Sequence, residues 1–266
     1  MKEIYSESEW RGSPAEAHRI RLRIFDSLPS TNTALKEEAR AGEAEGLSIM
    51  AKRQTAGRGR RGRSFYSPEG TGLYLSTLLR PRMNAENAVL ITQAAAVATA
   101  RVLEEISGAN VGIKWVNDIF INGRKVCGIL TESAISADVG QLEYAVLGIG
   151  INLTHPKEGF PYEIKDVAGC VFDHRPIPEE EVEAIAQRLL SEIYSVYRTL
   201  PERGFMKEYR ARSILLGRKI TAVAGDISAN GIAEAIDDNG NLVLLSENGE
   251  RYIFSSGEAS VKGDFL

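Results

Sequence analysis

A chain of 266 residues with 36 acidic and 32 basic side chains, net −4 and 43% hydrophobic, has the size and balance of a globular protein with one large domain and a small one. The acidic balance argues against a general nucleic-acid binder, two cysteines (Cys127, Cys170) make no disulfide framework, and His18, His155 and His174 match no zinc spacing, so no structural metal is expected. The first twenty residues are charged without an apolar core, so no signal peptide is expected; no apolar run is long enough to span a bilayer, and the cytosol is the default compartment.

Residues 1–19 carry Gly12, Ser13 and Pro14 and are too few for a domain, which predicts an arm or one short helix. Ile20 to Leu28 alternates imperfectly and predicts a strand. Pro29-Ser30-Thr31-Asn32 follows, and Ser30 or Thr31 is a good N-cap for a helix through Ala34, Leu35 and Ala39 that closes at Gly42. Capping alone explains Ser30, Thr31 and Asn32, but hydroxyls and an amide at a strand-to-helix junction also suit a polar ligand, and both readings stand.

Leu47 to Lys52 predicts a short strand leading into the most unusual run of the chain, Gln54 to Phe65. Arg58-Gly59-Arg60-Arg61-Gly62-Arg63 puts four arginines into six positions, and nothing acidic lies within the run. Its glycines disfavour helix and strand, its arginines cannot be buried unpaired, and the two together predict a flexible cationic loop. Glycine lets backbone N–H groups approach an anion, and arginine offers a planar fork matched to phosphate or carboxylate. An anion clamp and a solvated basic loop are both compatible with the run alone. Turn residues Ser67 to Gly72 and a strand Leu73 to Leu79 follow, so the loop is strung between two strands of a sheet.

Ala85 to Ile106 predicts a long core helix ending at Ser107-Gly108. Val111 to Ile121 and Arg124 to Glu132 predict two strands joined at Asn122-Gly123, the strongest short hairpin signal. That register pairs Phe120 with Lys125, Asp118 with Cys127 and Val116 with Ile129. It puts Lys114, Val116, Asp118, Phe120, Lys125 and Cys127 on one face, with Asp118 and Lys125 as diagonal neighbours. An ordinary surface ion pair is an equal reading of these two, and a bulge would break the register. Glu143 to Leu153 predicts a strand whose glycines alternate with apolar residues, a sign of close approach or of a bulge, with Asn152 a hydrogen-bonder at its end. After an irregular stretch, Pro178 opens a core helix and Phe205 to Arg212 a shorter one. From Ile214 short strands alternate with tight turns, which predicts a small antiparallel β domain.

Five motifs in order resemble the biotin–protein ligase family: Ser30-Thr31-Asn32; Gln54 through Arg63 with Ser67-Pro68; Lys114-Trp115-Val116-Asn117-Asp118; Lys125-Val126-Cys127-Gly128-Ile129-Leu130; and Gly148-Ile149-Gly150-Ile151-Asn152. The resemblance runs from about residue 20 to the end. It departs at Val116, where the family usually has proline, and at Phe65, where it often has tryptophan. It implies an α+β fold: a mixed, mostly antiparallel sheet packed by helices, of the class II aminoacyl-tRNA synthetase-like kind, with a small C-terminal SH3-like β-barrel. The implied domains are an arm (1–19), a catalytic unit (20–212) and a β unit (213–266). The family's DNA-binding winged helix finds no room in the nineteen preceding residues, so the expectation is a ligase that binds no DNA and is not also a repressor.

The resemblance implies activation of biotin by ATP to biotinyl-5′-AMP, then transfer of biotin to one lysine of a biotin carboxyl carrier protein. Ser30, Thr31, Asn32 and Gln54 are implied to line the biotin site. Arg58, Gly59 and Arg60 are implied to fold over carboxyl and phosphate, with Arg60 and Lys125 at the reacting groups. Arg58, Arg60, Arg63, Lys114, Asn117 and Asn152 are the implied ATP contacts, and Asp118 the implied Mg²⁺ ligand. The implied partner is the carrier protein, with no membrane, in a cytoplasmic monomer or homodimer. Rivals are a lipoate–protein ligase, a non-catalytic nucleic-acid or phosphopeptide module using the arginine loop, and a dead scaffold; the acidic balance and the lack of interleaved aromatics weigh against the module.

Overall fold

The computed structural model describes residues 20–136, 140–173 and 175–261; the expected arm over 1–19 lies outside them, as do His18 and His174. Seven strands form the main sheet: β1 (Arg21–Leu28), β2 (Leu47–Gln54), β3 (Gly72–Leu79), β4 (Val111–Lys114), β5 (Asp118–Ile121), β6 (Arg124–Ile135) and β7 (Leu142–Asn152). Their order is β1-β2-β3-β7-β6-β5-β4. Only β1 and β2 run parallel, joined by helix α1 (Thr31–Arg40); every other neighbouring pair is antiparallel. The sheet is therefore mixed and mostly antiparallel, as expected.

Alternation along the strands assigns the two faces different work. Leu73, Leu75 and Leu79 of β3 and Leu147, Ile149 and Ile151 of β7 enter the main core with α2 (Ala88–Ser107), α3 (Glu179–Arg198) and α4 (Phe205–Ala211). On α2, Ala94, Ala95, Ala96, Ala98 and Ala100 are all buried, and small side chains let a helix lie close to its neighbours. The other face is half covered. Leu35 and Ala39 of α1 pack with Leu47, Ile49, Leu78, Tyr144 and Val146. Further along β7 the residues on that face shrink to Gly148 and Gly150, opposite Leu130 and Gly128 of β6. A floor bare of side chains along β7 is left there, and the arginine-glycine segment lies across it.

The expected strand Val111–Ile121 is two strands, not one. Trp115, Val116 and Asn117 turn the chain back, so that Lys114 faces Asp118. The turn contains no glycine or proline, and tertiary contacts hold it. Trp115 Nε1 donates to Gly240 O (3.0 Å), Tyr209 Oη donates to Val116 O (3.1 Å) and Asn117 Nδ2 donates to Ile129 O (2.8 Å). The Trp115–Val116 peptide is cis. The Asn122-Gly123 hairpin forms with both residues at positive φ (49° and 72°), and Phe120 faces Lys125 as expected. A bulge then shifts the register: Asp118 faces Gly128 instead of Cys127, and the expected Val116–Ile129 pair does not form. The extra residue turns both Val126 and Cys127 into the core, and Phe120 is buried as well, so the expected polar face is shorter than the alternation implied.

The second sheet is antiparallel, in the order β11-β10-β9-β8-β12, from β8 (Lys219–Ala224), β9 (Ile227–Ile236), β10 (Leu242–Ser246), β11 (Arg251–Phe254) and β12 (Glu258–Val261). Its Ile220, Ala222, Leu242, Leu244 and Phe254 share one buried cluster with the helices of the main sheet. Gln93 Nε2 and Trp115 Nε1 both donate to Gly240 O, 2.8 and 3.0 Å away, which seats this sheet against α2 and the Trp115 turn.

Candidate active site

The uncovered half of the sheet is the floor of a cavity of about 360 Å³, in the range of small-molecule sites. One end is polar and closely bonded. Ser30 caps α1 through Thr33 N (3.5 Å), and Thr31 N and Oγ1 both donate to Gln54 Oε1 (2.9 and 3.2 Å). Gln54 Nε2 donates to Ser67 Oγ (3.0 Å). Ser76 Oγ lies 2.7 Å from Thr31 Oγ1 and 2.6 Å from Asn32 Oδ1. Ser30, Thr31 and Asn32 are each 3–4% exposed, so capping and lining are both true of this motif. Asn32 needs the bare floor: a Cβ at Gly148 would sit 2.0 Å from its Oδ1.

The arginine-glycine segment covers the cavity as an ordered lid. Arg58 and Ser64 form a bridge, Gly59 N donates to Arg63 O (2.7 Å), and Arg60–Gly62 make a 3₁₀ turn with Arg61 and Gly62 at positive φ. Phe65 seats the lid. Its ring meets Tyr74 edge-on (6.4 Å between centroids) and fills the place of a side chain at Gly150, where a Cβ would lie 2.6 Å from the ring. The alternating glycines of β7 thus accommodate side chains crossing the sheet, and no bulge interrupts the β3–β7 register there.

No acid lies within the segment, so its partners come from elsewhere. Arg58 pairs with Glu132 (3.0 Å) and Arg63 with Glu258 (2.6 Å), while Arg61 reaches Val223 O (3.5 Å). Arg60 donates to Asn117 Oδ1 (3.1 Å) and Gly257 O (3.3 Å). Burial, and then neighbouring Arg61, lower the Arg60 pKa from the usual guanidinium value. Across the cavity Lys125 Nζ meets Asp118 Oδ1 at 2.6 Å, the pairing that survives the bulge. Lys114 faces the same space, and burial, helped by the nearby Lys125 and Arg63 charges, pulls its pKa down despite Asp118 and Glu258. Arg60, Lys114 and Lys125 thus hold positive charge around one small volume, opposite an uncharged polar end. Such a cavity suits a ligand with a neutral polar head and an anionic tail.

Ser30, Thr31, Asn32, Gln54, Arg58, Gly59, Arg60, Arg63, Lys114, Asn117, Asp118 and Lys125 all line this cavity. Asn152 does not line it; its amide donates to Gly169 O (3.0 Å). The sequence reading missed Ser76 and Glu132, which hold the lining residues, and Val223, Gly257 and Glu258, which form the far wall. Ser76 and Glu132 sit in strands that alternation reads as ordinary, and the far wall comes from another sheet; no local signal marks either. Outside the cavity His155, Cys170 and Asp173 bring one donor atom each within 4.8 Å of one another. Burial and Asp173 push the Cys170 thiol up to about 12, and the thiol donates to Phe172 O (3.3 Å) and Asp173 Oδ1 (3.6 Å).

A sequence model described as "Biotin/lipoate A/B protein ligase family" matches residues 24–152, and one described as "Biotin protein ligase C terminal domain" matches residues 215–262. The chain is 34% identical over 257 residues to a bifunctional ligase/repressor BirA of Bacillus subtilis, covering 94% of this chain and 78% of that protein. It is 35% identical over 228 residues to a biotin–[acetyl-CoA-carboxylase] ligase of Paracoccus denitrificans, covering 79% of this chain and 90% of that protein. Among solved structures, a biotin protein ligase from Aquifex aeolicus in complex with biotin and ATP superposes with a TM-score of 0.74 at 27% identity, covering 91% of this chain and 98% of that one. The resemblance carried by the five motifs is therefore upheld along nearly the whole described chain, and the chain belongs to the biotin–protein ligase family.

Proposed function

We propose that this chain activates biotin with ATP to biotinyl-5′-AMP, releasing pyrophosphate, and transfers the biotinyl group to a lysine of a biotin carboxyl carrier domain. The observation that carries the reading is the convergence of Arg60 and Lys125 on one cavity with a bonded, uncharged polar end. The polar end, from Ser30, Thr31, Asn32 and Gln54, takes the ring of the vitamin, and the carboxylate then lies toward the cations. For that carboxylate to attack the α-phosphate, two anions must come within bonding distance. Lys125 and Arg60 offset that repulsion and the charge that builds in the transition state. Pyrophosphate leaves. The lid of Arg58, Gly59 and Arg60, seated by Phe65, keeps water from the mixed anhydride until the ε-amine of an acceptor lysine attacks its carbonyl and AMP leaves.

Arg63, Lys114 and Asn117 face the side on which the nucleotide phosphates must lie. Asn152 serves by holding Gly169, whose N–H donates to Lys125 O (2.9 Å), and so steadies the strand that carries the lysine. The site fits a magnesium ion that arrives with ATP. Asp118 offers a carboxylate with one oxygen committed to Lys125, and Mg²⁺ typically takes one or two protein carboxylates and completes its shell with phosphates and water. When bound, the ion supplies charge neutralisation at the phosphates. Residues 20–212 form the catalytic unit in this reading, and 213–266 the β unit that supplies the far wall. Among the described residues no helix is long and apolar enough to cross a membrane, and we place the reaction in the cytoplasm.

The test is exchange of labelled pyrophosphate into ATP. The reading predicts exchange that depends on biotin. Exchange with lipoate alone reassigns the substrate, and no exchange with either acid rejects the ligase chemistry.

A further inference from the structure

The polar end and the lid are joined by one residue that neither the motifs nor the proposed chemistry uses. Glu132, on β6, is half-buried against two residues that line the cavity, Asn32 and Arg58. Its Oε2 accepts from Asn32 Nδ2 (3.0 Å), and its Oε1 lies 2.7 Å from Lys36 Nζ and 3.0 Å from Arg58 Nη2. Three segments therefore meet on one carboxylate: the first turn of α1, its second turn, and the base of the lid. Burial raises the Glu132 pKa, but Lys36, Asn32 and Arg58 together outweigh it, and the net shift is downward.

The arrangement requires an acceptor at both oxygens. Asn32 is held from two sides, with Ser76 Oγ at its Oδ1 and Glu132 at its Nδ2, so the amide presents a single orientation to the cavity. An isosteric glutamine has one oxygen and one NH₂ group. Whichever way it turns, the NH₂ group faces either the Asn32 amide donor or the Lys36 and Arg58 cations. Arg58 is meanwhile paired with the same carboxylate that holds the Asn32 amide.

We propose that Glu132 is a positioning residue that fixes the Asn32 amide for the vitamin ring and ties the base of the lid through Arg58, so that ring recognition and lid attachment depend on one carboxylate. The ring half of this proposal rests on the ligase reading, whereas the lid half does not. The test compares E132Q with K36M, which removes a Glu132 partner but keeps the Asn32 and Arg58 contacts. Biotin KM, ATP KM and kcat are measured by pyrophosphate exchange, and tryptic cleavage between Arg58 and Arg63 is timed on the folded, ligand-free protein. E132Q is expected to raise biotin KM at least tenfold with ATP KM and kcat changed less than threefold, and to speed cleavage at least fivefold; K36M stays within twofold of wild type in all four. E132D, one methylene shorter, reaches only one side of the cluster and is expected to move biotin KM and cleavage in the same directions. If either biotin KM or the cleavage rate of these variants stays within twofold of K36M, the coupling is wrong, and a fall in Tm alone marks a merely structural role. Absence of biotin-dependent exchange in the wild type removes the ligase reading instead, and the cleavage rates still decide whether Glu132 holds the lid.

Discussion

Gly148→Ala is the smallest change that strikes the polar end. The added methyl would lie 2.0 Å from Asn32 Oδ1, 2.8 Å from its Cγ and 3.0 Å from its Nδ2. Gly148 cannot retreat, because it is paired with Ser76 on one side and Leu130 on the other. Asn32 must swing instead, breaking the 2.6 Å contact with Ser76 and the 3.0 Å bond to Glu132. Overpacking costs about 1–3 kcal/mol, a lost neutral hydrogen bond about 1 and one to a charged acceptor about 1.5–3. Asn32 faces a cavity and recovers part of this from water, which leaves about 2–4 kcal/mol. At about 2–4 °C per kcal/mol for a chain of this size, Tm falls by roughly 10 °C. Gly204→Ala is the control, since no heavy atom lies within 4 Å of its would-be Cβ and its φ is −57°; Tm there should hold or rise slightly. Differential scanning calorimetry reads both. Equal melting temperatures for the two variants would falsify the close approach of Asn32 to β7 and, with it, the preformed polar end.

Gly150→Ala puts a methyl 2.6 Å from the Phe65 ring, so the lid should lose its seat and be cut faster by trypsin between Arg58 and Arg63; an unchanged rate means Phe65 does not hold it. Tyr209→Phe leaves the Val116 carbonyl without its 3.1 Å donor, and unfolding should show a loss of about 1–3 kcal/mol. No measurable loss there would mean that the Trp115 turn is held by other contacts. Arg60→Ala should release the acyl-adenylate sooner in rapid filtration, because the lid loses its bonds to Asn117 and Gly257; unaltered retention counts against a clamp. Arg101 joins α2 to α3 and α4 through Glu192 (2.8 Å) and Glu208 (2.5 Å). Burial raises both carboxyl pKa values, but Arg101, with Arg188 or Arg212, lowers them further. A depressed folded-state pKa gives stability that is present above the unfolded value of about 4.3 and is lost as pH falls through the folded value. Tm of the wild type should therefore drop more steeply below about pH 4.3 than that of Arg101→Met, and parallel curves would refute the linkage.

Much of the site was legible because its chemistry is carried by unusual local composition. Four arginines spaced by glycines have few structural explanations, and the Asn-Gly turn fixes where the Lys125 strand begins. The Asp118–Lys125 pairing was found through a register that fails one residue later, because the bulge falls beyond Lys125 and leaves that side chain on the cavity face. The turn at Trp115-Val116-Asn117 was not legible, since an aromatic and a β-branched residue there favour strand, and the bend is held by contacts remote in sequence, among them Gly240, Tyr209 and Ile129. The far wall of the cavity was hidden for the same kind of reason: Glu258 and Gly257 meet the arginines across nearly two hundred residues of chain. Gly148 and Gly150 were readable as close approach, but not as the places of Asn32 and Phe65, which come from a helix and a loop.

The decisive observation is a crystal structure with a non-hydrolysable biotinyl-adenylate analogue. The Arg60 guanidinium and the Lys125 ammonium should both lie within hydrogen-bond distance of the phosphoryl or acyl oxygens, with the ring against Asn32 and Gln54. A ligand bound elsewhere, or one in this cavity with both cations turned away from it, would contradict the proposal that these two side chains bring the repelling anions together.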